Sequence, residues 1–175
     1  DNDVAWVFWR SIGQDGAGTE VYGRRFAVRN RTCTAQSDEF RVNSDIVGNQ
    51  RDGVCCALPN GDIMAAWVSE KNNVNTLFGR VFDQQGQPLT EDFILHSNDE
   101  RGLNLVSLAP HPQGVLAAWA CTDLIGSPEG IQGSLINFDE NQKMSQKLFS
   151  AHDGASSLAF EPVSYTHLRA HETDS

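Results

Sequence analysis

The segment DIMAAWVSE at residues 62–70 sets the fold of this chain, because its apolar residues are continuous and do not follow a helical period. A short continuous run bounded by the turn residues Asn60 and Gly61 indicates a strand that is buried on both faces. The segment VLAAWACTD at residues 115–123 repeats this pattern, and the alanines beside each tryptophan allow close approach of a neighbouring sheet. We therefore predict two equivalent buried strands.

The same pattern recurs along the chain with a regular spacing of aromatic residues. The apolar run of each unit ends on a tryptophan, 58 and 52 residues from the next, namely Trp9, Trp67 and Trp119. The strand after each tryptophan closes on a phenylalanine, 56 residues apart in both steps, namely Phe26, Phe82 and Phe138. Packing between units explains such recurring aromatics more simply than three identical ligand sites do. We predict that these six residues are repeated structural positions.

Short strands separated by turns fill each unit. The 15 glycines and the clusters of Asn, Asp and Gln supply the residues that many tight turns need. No segment has a sustained 3.6-residue period, so we predict an all-β fold without helix. Four antiparallel strands per unit are expected, with units at residues 1–50, 51–101 and 102–154 and a fourth beginning at 155–162. A four-stranded repeat of this length is close to a propeller blade, so we expect a β-propeller fragment of about three blades that is incomplete at both ends.

The first unit also resembles a known family of repeats. Its run FWRSIGQDGAGTEVYGRRF at residues 8–26, followed by DEFRVNS at residues 38–44, resembles the tandem repeats of large bacterial secreted and surface proteins. Those repeats combine a tryptophan strand, a glycine-rich turn, a strand ending in Arg-Phe, and an F-x-V-N element. The resemblance covers residues 4–162 and implies a β-propeller region, an extracellular or cell-surface location, and a role as a binding or structural module.

The last residues of the chain do not continue the repeat. The sequence VSYTHLRAHET at residues 163–173 resembles the in-frame translation of an adapter used to prepare sequencing libraries, so residues 163–175 are expected to be a non-native tail. His167 and His171 lie four residues apart beside Glu172, a spacing that would suit a metal on a helix. Within such a tail that spacing has no functional meaning. We predict that the tail adds no strand and binds no metal.

The turn at residues 11–20 contains the strongest candidate for a cation site. Asp15 and Glu20 carry the hard oxygen ligands that calcium prefers, although two carboxylates are few for the roughly six to eight positions around that ion. The turn also distantly resembles the Asp-box of sialidase-type propellers, without the tryptophan expected after it. We favour a plain turn, in which replacing Asp15 or Glu20 by alanine changes little. Calcium binding stays open as the alternative.

The cysteines do not form a pattern typical of a metal or redox site. Cys33, Cys55, Cys56 and Cys121 lack C-x-x-C spacing, so neither zinc binding nor thioredoxin-like chemistry is predicted. Because Cys55 and Cys56 are adjacent in a strand, their side chains must face opposite sides of the sheet. We expect the cysteines to act as small buried hydrophobic residues rather than as disulfides, with a disulfide as the alternative.

The net charge and the lack of a catalytic sequence pattern restrict the classes of function that we expect. Thirteen basic and 23 acidic residues give a net charge of −10, which disfavours nucleic acid and anionic lipid as partners. No apolar run approaches the roughly 18 residues of a membrane span. No set of side chains has to be a catalytic site, so we predict a non-catalytic binding or structural module without cofactor. Its partner would be a protein or glycan held by loops 70–75 and 122–130. The alternative is a propeller-fold glycan hydrolase, sialidase-like or another glycosidase, with most catalytic residues outside this chain.

Overall fold

The computed structural model describes residues 3–13, 18–98, 102–123, 128–138 and 144–153. Within these residues the chain forms twelve β-strands and no helix, which confirms the predicted all-β class. The strands in chain order are β1 Asp3–Ile12, β2 Thr19–Arg29, β3 Thr32–Ala35, β4 Phe40–Arg41, β5 Asn49–Ala57, β6 Ile63–Lys71, β7 Val74–Phe82, β8 Phe93–Asn98, β9 Gly102–His111, β10 Gly114–Thr122, β11 Pro128–Phe138 and β12 Met144–Asp153. The described part of the chain accordingly has no helix with the length and apolar character needed to cross a membrane.

The strands form two sheets in which chain neighbours pair. The first sheet has the order β1-β2-β5-β6-β7-β8, with β3 and β4 also paired to β2, and the second has the order β12-β11-β10-β9. Strands β2 and β5 meet in parallel through the single residue pair Thr19 and Asn49, whereas the other strand pairs are antiparallel. The first sheet is therefore two antiparallel groups joined at one point. We call β1 to β4 the first group, β5 to β8 the second group and β9 to β12 the third group.

The hairpin between β6 and β7 shows how the sequence sets the turns. Lys71 pairs with Val74, so Asn72 and Asn73 form a two-residue connection with φ angles of 52° and 64°. Positive φ at both central residues marks a type I′ turn, whose twist matches the flanking strands and which asparagine adopts readily. The segment at 70–75, expected to be a binding loop, is therefore a tight hairpin whose residues 71–73 are exposed.

A buried tryptophan lies in each interface between successive groups. Trp67 is 1% exposed and packs with Ala65 and Phe82 against the first group. Trp119 is fully buried in the larger core between the second and third groups. Strand β6 is buried on both faces from Ile63 to Ser69, as its continuous apolar run predicted. The strand separates the two cores, because alternate side chains belong to one core or to the other.

The pairing register shows which residues occupy equivalent positions. The tryptophans Trp9, Trp67 and Trp119 lie opposite Tyr22, Phe78 and Gln132. The residue four places before each tryptophan pairs with Phe26 in the first group, with Phe82 in the second, and with Ile136 in the third. Phe138 lies two residues further along β11, at its end, where it pairs with Met144. The even spacing of phenylalanines in the sequence thus does not correspond to one structural position in the third group.

The first strands of the second and third groups share a backbone irregularity. Asp52 in β5 and Leu105 in β9 have φ angles of 56° and 52°, and the pairing register shifts beside each of them. Asp52 follows Arg51, which pairs with Val68, the residue after Trp67. Leu105 follows Asn104, which pairs with Ala120, the residue after Trp119. A bulge of this kind bends the strand and increases its twist. Both strands therefore bend at the same level.

Candidate functional site

A cleft of about 350 Å³ opens between the turn that joins β5 to β6 and the turn that joins β9 to β10. Its lining residues are Leu58, Pro59, Asn60, Pro112, Gln113, Gly114 and Phe138. The volume lies at the lower end of the roughly 300 to 1,000 Å³ typical of small-molecule sites. We call this feature the turn cleft and treat it as the candidate functional site.

Hydrogen bonds fix the wall of the turn cleft that comes from the second group. The Leu58 amide donates to the Asp62 carbonyl oxygen at 2.8 Å, and the Gly61 amide donates back to the Leu58 carbonyl oxygen at 2.9 Å. The Asn60 side chain accepts from the Asp62 amide at 3.1 Å and donates to the Asp62 carboxylate at 2.7 Å. Because φ of Gly61 is 88°, glycine is favoured there. The Asn60 carboxamide is thus held in one orientation at the rim.

The opposite wall is a tighter turn. His111 pairs with Gly114, so Pro112 and Gln113 alone connect β9 to β10. The Gln113 backbone amide donates to the His111 ring nitrogen Nδ1 at 3.2 Å. The Gln113 side chain takes no part in this hydrogen bond and is exposed. Gly114 has a φ of 145°, and a Cβ atom there would collide with the Ile136 carbonyl oxygen. Glycine at this position therefore allows the hairpin to lie close to β11.

Apolar side chains form the floor of the turn cleft. Leu58 is buried, and the half-buried Phe138 ring packs edge-on against Phe93 with 5.9 Å between ring centroids. Beside Gly114, the side-chain oxygen of Asn137 is buried and accepts no hydrogen bond from the described residues. The site thus combines an apolar floor with exposed carboxamide groups. Among the described residues, none of those that line the cleft carries a titratable side chain.

The candidate calcium residues are not seen as a pair. Asp15 lies outside the described residues. Glu20 belongs to β2, is only 2% exposed, and has a carboxylate oxygen 3.8 Å from a guanidinium nitrogen of Arg41. Glu20 is therefore a buried residue of a strand, where the sequence had suggested part of an open turn. No three His, Cys, Asp or Glu side chains lie close enough to hold a metal ion in the described ranges.

The predicted loop surfaces are only partly described. At the 70–75 hairpin the Lys71 ammonium group lies 3.5 Å from the Asp45 carboxylate. A hydrogen bond from the Val47 amide lowers the pKa of Asp45, an effect that Lys71 reinforces and partial burial opposes. Both side chains are exposed, so this ion pair contributes little to stability. Of the 122–130 loop, residues 124–127 lie outside the described residues.

The four cysteines are present as thiols. Cys56 is buried in the core between the second and third groups, whereas the Cys55 sulfur lies 3.9 Å from the Trp6 carbonyl oxygen of the first group. The two side chains therefore face opposite sides of β5, as predicted. Burial raises the pKa of each of these thiols to about 11. Cys121 is also buried, and Cys33 is exposed on β3.

The sequence identified Asn60 and Gly61 as turn residues, yet it did not predict the cleft between this turn and the turn at residues 112–114. These segments lie about fifty residues apart and meet only when the second and third groups pack. Comparisons of the chain with protein family models, with curated proteins and with solved structures found no match. The function of the chain is therefore inferred from its own geometry.

Proposed function

We propose that this chain is a non-catalytic binding module that takes an uncharged, hydroxyl-rich ligand in the turn cleft. The lining of the cleft carries this proposal, because carboxamides and apolar side chains can bind a ligand but cannot transfer a proton at neutral pH. A glycan hydrolase would need a pair of carboxyl groups beside its substrate, and the described residues that line the cleft offer none. A binding role is therefore favoured over the hydrolase alternative.

The chemistry of the walls suggests a neutral sugar as the ligand class. The Phe138 ring and the Leu58 side chain offer an apolar surface for the carbon face of a pyranose, and the exposed Asn60 and Gln113 carboxamides can both donate and accept hydrogen bonds. A net charge of −10 works against an anionic ligand, so sialic acids fit less well.

The packing of the three groups supports a β-propeller as the finer fold. The second and third groups are four-stranded antiparallel meanders, and the interfaces on both sides of the second group bury a tryptophan. Propellers arrange such meanders around an axis with one sheet face on the next. In this proposal the turn cleft lies between neighbouring blades, and the module belongs to a secreted or cell-surface protein.

A titration with neutral sugars tests the proposed function. We would follow amide chemical shifts while adding glucose, galactose, mannose, N-acetylglucosamine and their disaccharides, and expect shifts at Asn60, Gln113 and Phe138. Gln113→Ala should weaken binding by about two- to tenfold, the value of one neutral hydrogen bond. Gln85→Ala is the matched control, because Gln85 is an exposed turn residue that is not among the described residues lining the cleft. Equal affinities of the two variants, no binding by any sugar, or release of hydrolysis products would refute the proposal.

A further inference from the structure

Asp62 holds one side chain of the turn cleft through two hydrogen bonds. Its carboxylate accepts from the Asn60 side-chain nitrogen at 2.7 Å, and its backbone amide donates to the Asn60 side-chain oxygen at 3.1 Å. Asn60 lines the cleft, whereas Asp62 is not among the described lining residues. A carboxylate is therefore in direct contact with a side chain that we expect to bind the ligand.

The two hydrogen bonds determine what Asn60 can offer to a ligand. A carboxamide has two N–H donors and two lone pairs on its oxygen. Asp62 occupies one donor and one lone pair, so one of each remains. The Gln84 side chain also donates to the Asn60 backbone carbonyl oxygen at 3.2 Å and so fixes the same residue from the neighbouring turn. Asn60 is thus already oriented to donate one hydrogen bond and to accept another, which suits two hydroxyl groups of one sugar.

The carboxamide on the opposite wall is not held in this way. Within the described part of the chain the Gln113 side chain makes no hydrogen bond, and only its backbone amide is bonded, to the His111 ring. A side chain that becomes ordered on binding loses conformational entropy, whereas a side chain that is already ordered does not. Asn60 should therefore contribute more to affinity than Gln113, because Asp62 orders it in advance.

The charge of Asp62 adds a selection on the ligand. A ligand atom bonded to the Asn60 side-chain nitrogen lies within about 6 Å of the Asp62 carboxylate, because two hydrogen bonds of about 3 Å separate them. Two like charges repel each other at that distance even in water, although salt screens them. The Arg25 guanidinium donates to the Gln84 carbonyl oxygen at 2.6 Å, so Gln84 separates this positive charge from Asn60. The charge bonded directly to the lining side chain is negative.

We propose that Asp62 is the positioning and specificity-determining residue of the turn cleft, which orients Asn60 for a hydroxyl-rich ligand and selects neutral sugars over their uronic acids. This inference rests on the sugar binding proposed above and assigns its selectivity to one carboxylate. Uronic acids are the informative comparison, because they keep the pyranose ring and its other hydroxyl groups and carry a carboxylate in place of the hydroxymethyl group.

Paired titrations of the full chain test the effect of the charge. The probes are glucose with glucuronate and galactose with galacturonate, added at pH 7 and low ionic strength and followed by amide chemical shifts. The parent chain should bind the neutral sugar of a pair more tightly. Asp62→Asn keeps an oxygen that can accept from Asn60 but has no charge, so this preference should shrink by about three- to tenfold. Asp38→Asn is the matched control, since it removes the same charge at an exposed position between β3 and β4.

A second variant tests the positioning in the absence of sugar. Asp62→Ala removes the carboxylate and keeps the backbone amide, so the Asn60 side-chain resonances should move toward those of a freely rotating carboxamide. Its affinity for neutral sugars should fall by about two- to tenfold, and circular dichroism checks that it stays folded.

The outcomes separate this inference from the proposed function. Unchanged Asn60 resonances in Asp62→Ala, or the same preference for neutral sugars in Asp62→Asn and Asp38→Asn, would overturn the inference while sugar binding itself stood. Absence of binding by all four sugars to every variant would refute the proposed function and the selectivity together.

Discussion

The guanidinium group of Arg51 donates to the side-chain oxygen of Asn104 at 3.1 Å, and these residues occupy equivalent positions on β5 and β9. The same guanidinium donates to the Leu103 carbonyl oxygen at 2.8 Å and to the Asn75 side-chain oxygen at 3.0 Å. One side chain thus connects the second and third groups at the level where both strands bend. This contact is polar, whereas the rest of the interface is mainly apolar.

Replacing Arg51 by alanine should lower the free energy of unfolding by about 1 to 3 kcal/mol, because it leaves partly buried acceptors without donors. Urea denaturation followed by tryptophan fluorescence measures this. Arg10→Ala is the control, since Arg10 is exposed on β1 and its loss should change stability by less than about 0.5 kcal/mol. Equal losses for the two variants would show that the Arg51 network does not stabilise the interface.

The two tryptophans Trp67 and Trp9 should respond differently to truncation. Trp67→Ala removes a residue that is 1% exposed and should cost about 3 to 5 kcal/mol, enough to unfold a marginal domain. Trp9→Ala at the half-buried equivalent should cost clearly less. Thermal unfolding monitored by far-ultraviolet circular dichroism compares them. A folded Trp67→Ala variant that merely lost sugar binding would instead assign the indole to ligand recognition.

Glu20 should matter for stability although the sequence suggested a turn residue. Its carboxylate is buried near Arg41, so Glu20→Ala should destabilise the chain by about 1 to 3 kcal/mol. Glu91→Ala serves as the control, because Glu91 is exposed. Chemical denaturation with and without calcium measures both. Stabilisation of the parent chain by calcium that Glu20→Ala abolishes would return this residue to the role of a cation ligand.

Thiol reactivity should distinguish the cysteines. At pH 8 the exposed Cys33 should react with a disulfide reagent within minutes, while Cys55 and Cys56 react far more slowly, because burial shields them and raises the pKa of each to about 11. Since the folded chain keeps these protons when the unfolded chain loses them near pH 9, stability should fall as pH rises from 9 to 11. Cys33→Ser should remove the fast phase. A fast thiol that remained in that variant would contradict the burial of Cys55, Cys56 or Cys121.

The local sequence pattern was sufficient to predict the strands, but it was not sufficient to predict the turn cleft. The continuous run around Trp67 predicted a strand buried on both faces, because burial of that kind needs apolar residues at every position. The position of Phe138 did not follow from the sequence, because spacing along the chain ignores differences in turn length. The residue opposite the tryptophan lies 11 positions after Trp67 and 13 after Trp119, a difference of two. The phenylalanine lies 15 positions after Trp67 and 19 after Trp119, a difference of four, so the register places Ile136 where Phe138 was expected. That displacement is what puts the Phe138 ring in the cleft.

Pairing between chain neighbours has a consequence for how this protein folds. Except for the contact of Thr19 with Asn49, adjacent strands in each sheet are close in sequence, so little loop entropy has to be lost before a pair is formed. Each pair of neighbouring strands can therefore form early, before the groups pack on one another. The Asn72 turn can nucleate the second group, and each further meander then adds to a face already formed. Folding of this chain should therefore spread outward from its middle, with the first and third groups ordering last.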